Sequence, residues 1–408
     1  MTLSTDRTGA ASRPRVAVIG DRGIPARYSG FSTLVEHLAL RLVHAHGMDV
    51  TVYCRNHYYE DRTPTYEDVR RVFLPAPGGK SFESIIHSNL AILHAAAAGY
   101  DCAIVADPGN APFGLPLVIR GIPTLYLTDG LGWQRRKWGP LQQRYYRWSE
   151  AVCARIATWL VTDSRAMQAY YLSTYGAHST FIPYSGDVGD PPDDTALARY
   201  GLEPGGYYLV VARMEPENNV DLIIREYRAS GVSRPLVVVG SNPFGTAYAR
   251  QVAAEADERV HCVGGIFESA ILNSLYARCH AYLHGHEVGG TNPSLLRAMH
   301  GGAACIPIDV VFHREVTGED ALFFTKEPGN LAAVLRRADA MPEEMRRLGT
   351  AARKRVTALY RWDAVAAGYA ELIRAVVAAR REGHSLLPLA EREFYRPRDF
   401  AATGACRS

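Results

Sequence analysis

The sequence predicts an α/β protein made of two doubly wound, Rossmann-like parallel-sheet domains that face one another across a cleft. Three observations predict it. Short β-branched runs ending in glycine or a polar residue alternate with segments of helical periodicity. The alternation breaks in a stretch dense in Gly, Pro and Asp, GDVGDPPDD at 186–194, and then restarts. Finally, 408 residues at 47% hydrophobic and 21% charged hold enough apolar material for two cores.

The elements follow in order. Residues 1–14 are polar and read as a lead-in. RVAVIG (15–20) is a strand, followed by the glycine-containing loop GDRGIPARYSG. An apolar run without polar alternation is what a strand covered on both faces requires. FSTLVEHLALRLVHAHG then carries apolar residues at helical spacing and stops at Gly47. DVTVYC (49–54), VRRVFLPA (69–76), a helix near 83–98, DCAIVAD (101–107), TLYLTDG (124–130), a helix around 140–157 and WLVTDS (159–164) continue the pattern. After the break come YYLVVAR (207–213), a helix at 219–230, PLVVVGS (235–241), a helix at 244–257 and RVHCVGG (259–265). A helix at 269–279, AYLHGH (281–286), a helix at 293–302 and CIPID (305–309) complete the second sheet. Helices at 328–340, 343–359 and 361–382 close the chain, and 384–408 shows little periodicity. The expected domains are 15–188, 189–360 and a returning helix with its tail at 361–408.

Composition excludes several classes. The formal net charge is +3, and only four of the 45 basic residues are lysines, namely Lys80, Lys137, Lys326 and Lys354. Arginine preference at near-neutral balance reads as codon bias, so no nucleic-acid partner is expected. The pairs Arg135–Arg136 and Arg346–Arg347 read as solvated faces or local phosphate contacts. The seven cysteines (Cys54, Cys102, Cys153, Cys262, Cys279, Cys305 and Cys406) show no CxxC or Cys/His metal spacing. A reducing compartment and no structural metal are expected. The N-terminus lacks an apolar signal region, and no apolar run reaches about 18 residues. The expectation is a cytoplasmic protein without a transmembrane segment. Oligomeric state is not legible.

In open parallel sheets, ligands bind beyond the carboxyl ends of the strands, and two such sheets facing one another form a pocket. The first loop is no G-x-G-x-x-G fingerprint, and Arg55 and Asn56 stand where a dinucleotide fold places an acid. A nicotinamide site is therefore a poor fit. Gly30 still begins a helix whose N–H groups can hold an anion; the plainer reading is a tight turn. In ARMEPENN (212–219), Arg213 follows a strand directly, and its fork suits a diphosphate. Glu215, Asn218 and Asn219 add polar groups, with Asn219 also a plausible N-cap. Gly240, Gly264 and Gly265 lie at strand ends of the same domain. In HGHEVGGTNPSLLRAMHGG (284–302), Gly289 and Gly290 precede Thr291, Asn292 and Pro293. Glycines admit a ligand to the backbone, and a Pro-started helix capped by Asn292 favours phosphate. The bland alternative is a well-capped helix and nothing more.

The segments VIGDRGIPARYSGF, LTDGLGWQRRKWG, VTDSRAMQAYY, VVARMEPENN and HGHEVGGTNPSLLRAM resemble retaining glycosyltransferases of family 4, in particular the bacterial rhamnosyltransferase-like subgroup. The resemblance runs over about residues 15–360. It implies a GT-B fold, with a nucleotide-sugar donor on the C-terminal domain and a sugar or small-molecule acceptor on the N-terminal one. No metal or other cofactor is implied, since helix dipoles and basic side chains hold the diphosphate. Arg213 matches the arginine that stabilises the leaving group. The lysine usual five residues later falls on Asn218. Asp129 stands where many members carry a histidine near the transferred sugar; its plainer reading is a turn cap. Trp133, with Arg27, Tyr28 and Phe31, would face the acceptor, or pack in the core.

One position departs from the pattern. Arg297 replaces a glutamate that accepts hydrogen bonds from the donor ribose, and arginine has donors only. Three explanations stay open. Glu287 supplies the acceptor instead; or the donor carries extra negative charge that Arg297 reads; or donor binding is lost, leaving a non-catalytic partner protein. A GT-B nucleotide-sugar epimerase is a further alternative on the same fold.

Overall fold

The structure, a computed structural model, describes residues 13–26, 30–77, 83–186, 195–241 and 245–397. The N-terminal sheet contains β1 (Arg15–Ile19), β2 (Asp49–Arg55), β3 (Thr65–Tyr66), β4 (Val69–Leu74), β5 (Cys102–Ala106), β6 (Thr124–Thr128), β7 (Trp159–Thr162) and β8 (Ser179–Phe181). Its helices are α1 (Gly30–His44), α2 (Glu83–Ala98), α3 (Leu115–Ile119), α4 (Pro140–Ile156) and α5 (Arg165–Tyr175). The strand order is β3-β4-β2-β1-β5-β6-β7-β8. Val16 of the central β1 pairs with Val50 on one side and Cys102 on the other. Both faces of β1 are covered, which is why VAVI is apolar throughout.

The C-terminal half holds α6 (Thr195–Ala198), β9 (Tyr208–Val211), α7 (Val220–Ser230), β10 (Leu236–Val239), α8 (Ala247–Ala254), β11 (Val260–Gly264) and α9 (Ser269–Arg278). Then come β12 (Ala281–His284), α10 (Pro293–Gly301), β13 (Cys305–Pro307), α11 (Val311–Thr317), α12 (Asn330–Ala340), α13 (Pro342–Leu359) and α14 (Trp362–Glu382). Its five strands run β11-β10-β9-β12-β13 and pair in parallel. Two doubly wound α/β sheets are thus present, as the sequence predicts.

Some elements differ from expectation. β3 pairs with β4 antiparallel, through a tight turn in which Glu67 and Asp68 have φ of 44° and 65°. Glu-Asp is not the usual sequence signal for such a turn, so the edge hairpin was not anticipated. α5 and α11 also went unread. α5 starts where the Ser164 hydroxyl accepts the Met167 N–H at 3.3 Å and stops at the left-handed Gly176. α8 is shorter than expected at its start because Thr246 caps it, accepting from the Ala249 N–H.

The last helix ties the ends of the chain together. Trp362 of α14 stacks on His37 of α1 at 4.6 Å, and Arg374 donates to the His46 carbonyl at 2.8 Å. Arg381 pairs with Asp101 at 2.6 Å. One apolar cluster runs from β1 and α1 through α14 to α10, so the two sheets share a core along this side. The chain enters the second half pressed onto α10: a Cβ at Gly186 would stand 2.4 Å from the Arg297 backbone nitrogen. Residues 187–194, the rest of the expected hinge, lie outside the described residues. Six cysteines are free thiols, and Cys406 lies outside the described residues. Among the described residues, no helix is long and apolar enough to cross a membrane.

Candidate active site

Each sheet has a switch point where the strand order reverses, between β1 and β5 in the first and between β9 and β12 in the second. The loops leaving these strands carry the candidate residues. After β9, the chain runs through Arg213 into a 3-10 turn at Pro216–Asn218. Arg213 is solvent-exposed, whereas Glu215, Glu217, Asn218 and Asn219 are buried. The Asn218 amide nitrogen donates to the Arg213 carbonyl at 2.6 Å, and its oxygen meets His286 Nδ1 at 2.5 Å. Asn218 therefore fixes the backbone of Arg213 to the loop that follows β12.

Asn219 occupies the N-cap position of α7, but its side chain makes no cap, which corrects the sequence reading. Its backbone is left-handed (φ 50°), and its amide reaches sideways to the Gly285 carbonyl at 2.8 Å. Tyr248 does the capping: its hydroxyl accepts the Val220 and Asp221 N–H groups and donates to Asp221 at 2.7 Å.

After β12, α10 starts as predicted, with Pro293 at its first position and Asn292 accepting the Ser294 N–H at 3.0 Å. Gly289 and Gly290 sit against the N-terminal domain. A Cβ on Gly130, whose φ is +123°, would lie 2.5 Å from the Gly289 Cα. A Cβ on Gly290 would lie 1.9 Å from Asp163 Oδ1. Thr291 donates to the Asp163 carbonyl. The seam is glycine against glycine because no side chain fits.

The loop after β6 supplies charge to this seam. Asp129 is half-buried, and Arg135 interacts with both Asp129 and Asp107. Arg136 pairs with Glu287 at 2.8 Å, donates to Asn219 Oδ1 at 2.9 Å, and also donates to the Pro216 carbonyl. Lys137 Nζ stands 3.9 Å from Glu215 Oε1. Burial, then Asp129 and Glu315, pushes the Asp163 carboxyl well above its ordinary range. Desolvation, then Asp129, raises Asp107. Desolvation, then Arg135 and Arg213, pushes His286 well below the usual imidazole value, so it is neutral near pH 7.

The remaining predicted residues are placed as follows. Glu287 is held between Arg136 and Lys326. The Arg297 guanidinium turns to α9, donating to Asn273 Oδ1 at 2.8 Å and to the Ser269 carbonyl at 3.0 Å. Gly240 packs on the Ala212 carbonyl, with no room for a Cβ, and its N–H donates to the Gly264 carbonyl. Gly265 faces Ser241 and Phe267, while a Cβ on Gly264 would meet nothing. Gly30 starts α1, where the buried Asp21 carboxyl already receives Ser32 Oγ at 2.9 Å. Phe31 is half-buried against the large core, and one face of Trp133 is covered by Arg147 at 4.7 Å. Arg27 and Tyr28 lie outside the described residues. Sequence reasoning missed Asp163, His286 and the cleft-facing role of Arg135–Lys137, although all lie in segments that carried the family resemblance. Among the described residues, no group of three His, Cys, Asp or Glu could hold a metal ion.

The comparisons with known proteins agree with this architecture. Residues 29–184 match the model of the glycosyl transferase 4-like domain, and residues 206–341 match that of the glycosyl transferases group 1. Sucrose-phosphate synthase from Thermosynechococcus elongatus superposes with a TM-score of 0.77 at 21% identity, over 90% of this chain and 100% of that one. Anabaena HepE in complex with UDP-glucose gives 0.69 at 12%, over 90% and 100%. The α,α-trehalose 6-phosphate synthase from Burkholderia multivorans gives 0.66 at 14%, over 90% and 99%. No curated protein sequence matches the chain. The fold and the paired domain matches define a GT-B glycosyltransferase. The chain thus carries a glycosyl transferase 4-like domain followed by a glycosyl transferases group 1 domain on a GT-B fold.

Proposed function

We propose that the protein is a retaining glycosyltransferase that moves a hexosyl or deoxyhexosyl group from a nucleotide sugar to a hydroxyl or amine acceptor, in polysaccharide or natural-product assembly. One observation carries the reading: Arg213 and the glycine-led start of α10 leave adjacent strands at the switch point of the C-terminal sheet, facing the loop after β6. The positive end of a nine-residue helix, reached through two glycines, and a nearby guanidinium suit a diphosphate. In the transfer, the bond from the anomeric carbon to the diphosphate oxygen breaks and a bond to the acceptor oxygen or nitrogen forms on the same face. The acceptor proton passes to the departing phosphate oxygen. Charge builds on the diphosphate as the bond breaks, so a cation there lowers the barrier more than it tightens binding. Asp129, at the seam, is placed to orient a sugar hydroxyl. The reading requires no divalent cation.

Because HepE is seen with UDP-glucose, UDP-sugars are the first donors to test, followed by dTDP- and GDP-sugars. Release of nucleoside diphosphate in excess chelator, with the anomeric configuration of the product read by NMR, tests the reading. Turnover of one donor with retained configuration supports it. Silence across the panel overturns it, and an inverted product overturns the retaining mechanism.

A further inference from the structure

We infer that Lys137, carried by the N-terminal domain, is a ligand of the donor diphosphate and completes across the cleft the charge that Arg213 begins. The inference rests on the nucleotide-sugar reading above and assigns that site a residue from the opposite domain.

Lys137 has little access to water, its side chain being 16% exposed. Its ammonium lies over the Trp138 ring at 5.1 Å. The charged groups facing it are Arg135 from its own loop, Asp107 at the end of β5, and Arg213, Glu215 and Glu217 from the loop after β9. Its ion-pair partner, Glu215 Oε1 at 3.9 Å, is beyond hydrogen-bond reach, and among the described residues none of its three donors meets an acceptor. With two guanidinium groups beside it and the Glu215 carboxylate at ion-pair distance only, this ammonium gains from anionic oxygens that reach hydrogen-bond distance. Burial, then Arg135 and Arg213, accordingly pulls Lys137 down to about 8. Asn218, the polar neighbour of Arg213 on the C-terminal side, is neutral, and its amide is taken up by the Arg213 carbonyl and His286. A diphosphate lying at the start of α10 would bring the missing acceptor oxygens between Arg213 and Lys137. Because the two cations come from different domains, such a ligand is fully held only while the domains are together.

The test is calorimetric titration with UDP, GDP and dTDP at about pH 8, in two buffers of different ionisation enthalpy, with the matching monophosphate as control. Free Lys137 is about half protonated there, and a bound diphosphate holds it fully protonated, so the wild type takes up about half a proton on binding. Lys137→Met is expected to weaken diphosphate binding about ten- to a hundredfold, to abolish the uptake, and to leave monophosphate binding little changed. Lys137→Arg is expected to restore affinity without restoring the uptake. Unchanged affinity in Lys137→Met, or proton uptake that persists in either variant, overturns the inference while leaving the functional reading intact. Failure of the wild type to bind any of the diphosphates overturns both.

Discussion

Two strand-end loops meet at the cleft, and they bring different things. The loop after β12 offers backbone: two glycines, a capped helix start and no cation of its own between His286 and Asn292. The loop after β6 offers side chains: Arg135, Arg136 and Lys137 within three residues, reaching Asp129, Glu287 and Glu215. In the function proposed above, one loop shapes a cradle for an anion and the other carries charge to it. Neither is complete alone, so closeness of the domains becomes part of the chemistry.

The largest expected effects come from spoiling the fit. Gly290→Ala would drive a methyl into Asp163, and Gly130→Ala would drive one into the Gly289 backbone. Either should push the loops apart and cut kcat/KM about a hundredfold, since displacements near 1 Å cost that much. Steady-state kinetics with the accepted donor checks this. Wild-type rates would show that the loops need not touch.

Arg297→Glu sharpens the comparison from behind the cradle. The new carboxylate would face the Ser269 carbonyl with no proton to give, where Arg297 now donates. The expected cost is about 1–3 kcal/mol of stability with no gain in donor affinity. A large gain in affinity would instead mark the site as decayed.

Arg136→Ala removes the tie between the loops without touching the glycines. The side chain is about half exposed, so its ion pair with Glu287 is worth up to about 1 kcal/mol. A rise in KM of up to about fivefold with little change in kcat is expected.

Asp163→Asn gives the smallest effect, visible as pH dependence. The folded protein raises this carboxyl, so the native state holds its proton longer than the unfolded chain does. That preference favours the folded state at low pH and is lost as pH rises from the ordinary carboxylate range, about 4, through the raised value. The variant should gain in unfolding midpoint over the wild type near pH 8 and lose that advantage near pH 4. The same difference at both pH values would show that Asp163 titrates normally.

Most of the frame was legible in the sequence, because parallel strands covered on both faces must be apolar and β-branched, and RVAVI and LVVV have no other use. The start of α10 was legible too, since Asn-Pro is a local signal. What was missed is tertiary. Arg135–Arg136 looks like any solvated pair until the fold carries Arg136 to Pro216 and Asn219, 80 and 83 residues away. Asn219 has the composition of a cap, yet Tyr248, 28 residues on from Val220, does the capping and frees Asn219 to brace the cleft. Asp163 gave no signal beyond its place after a strand.

The central claim is that leaving-group charge is stabilised where Arg213 faces the start of α10. The kcat of Arg213→Ala at saturating donor tests it most directly. The account predicts a fall of about two orders of magnitude or more, with a smaller change in KM, because the charge develops in the transition state. An unchanged kcat would contradict it.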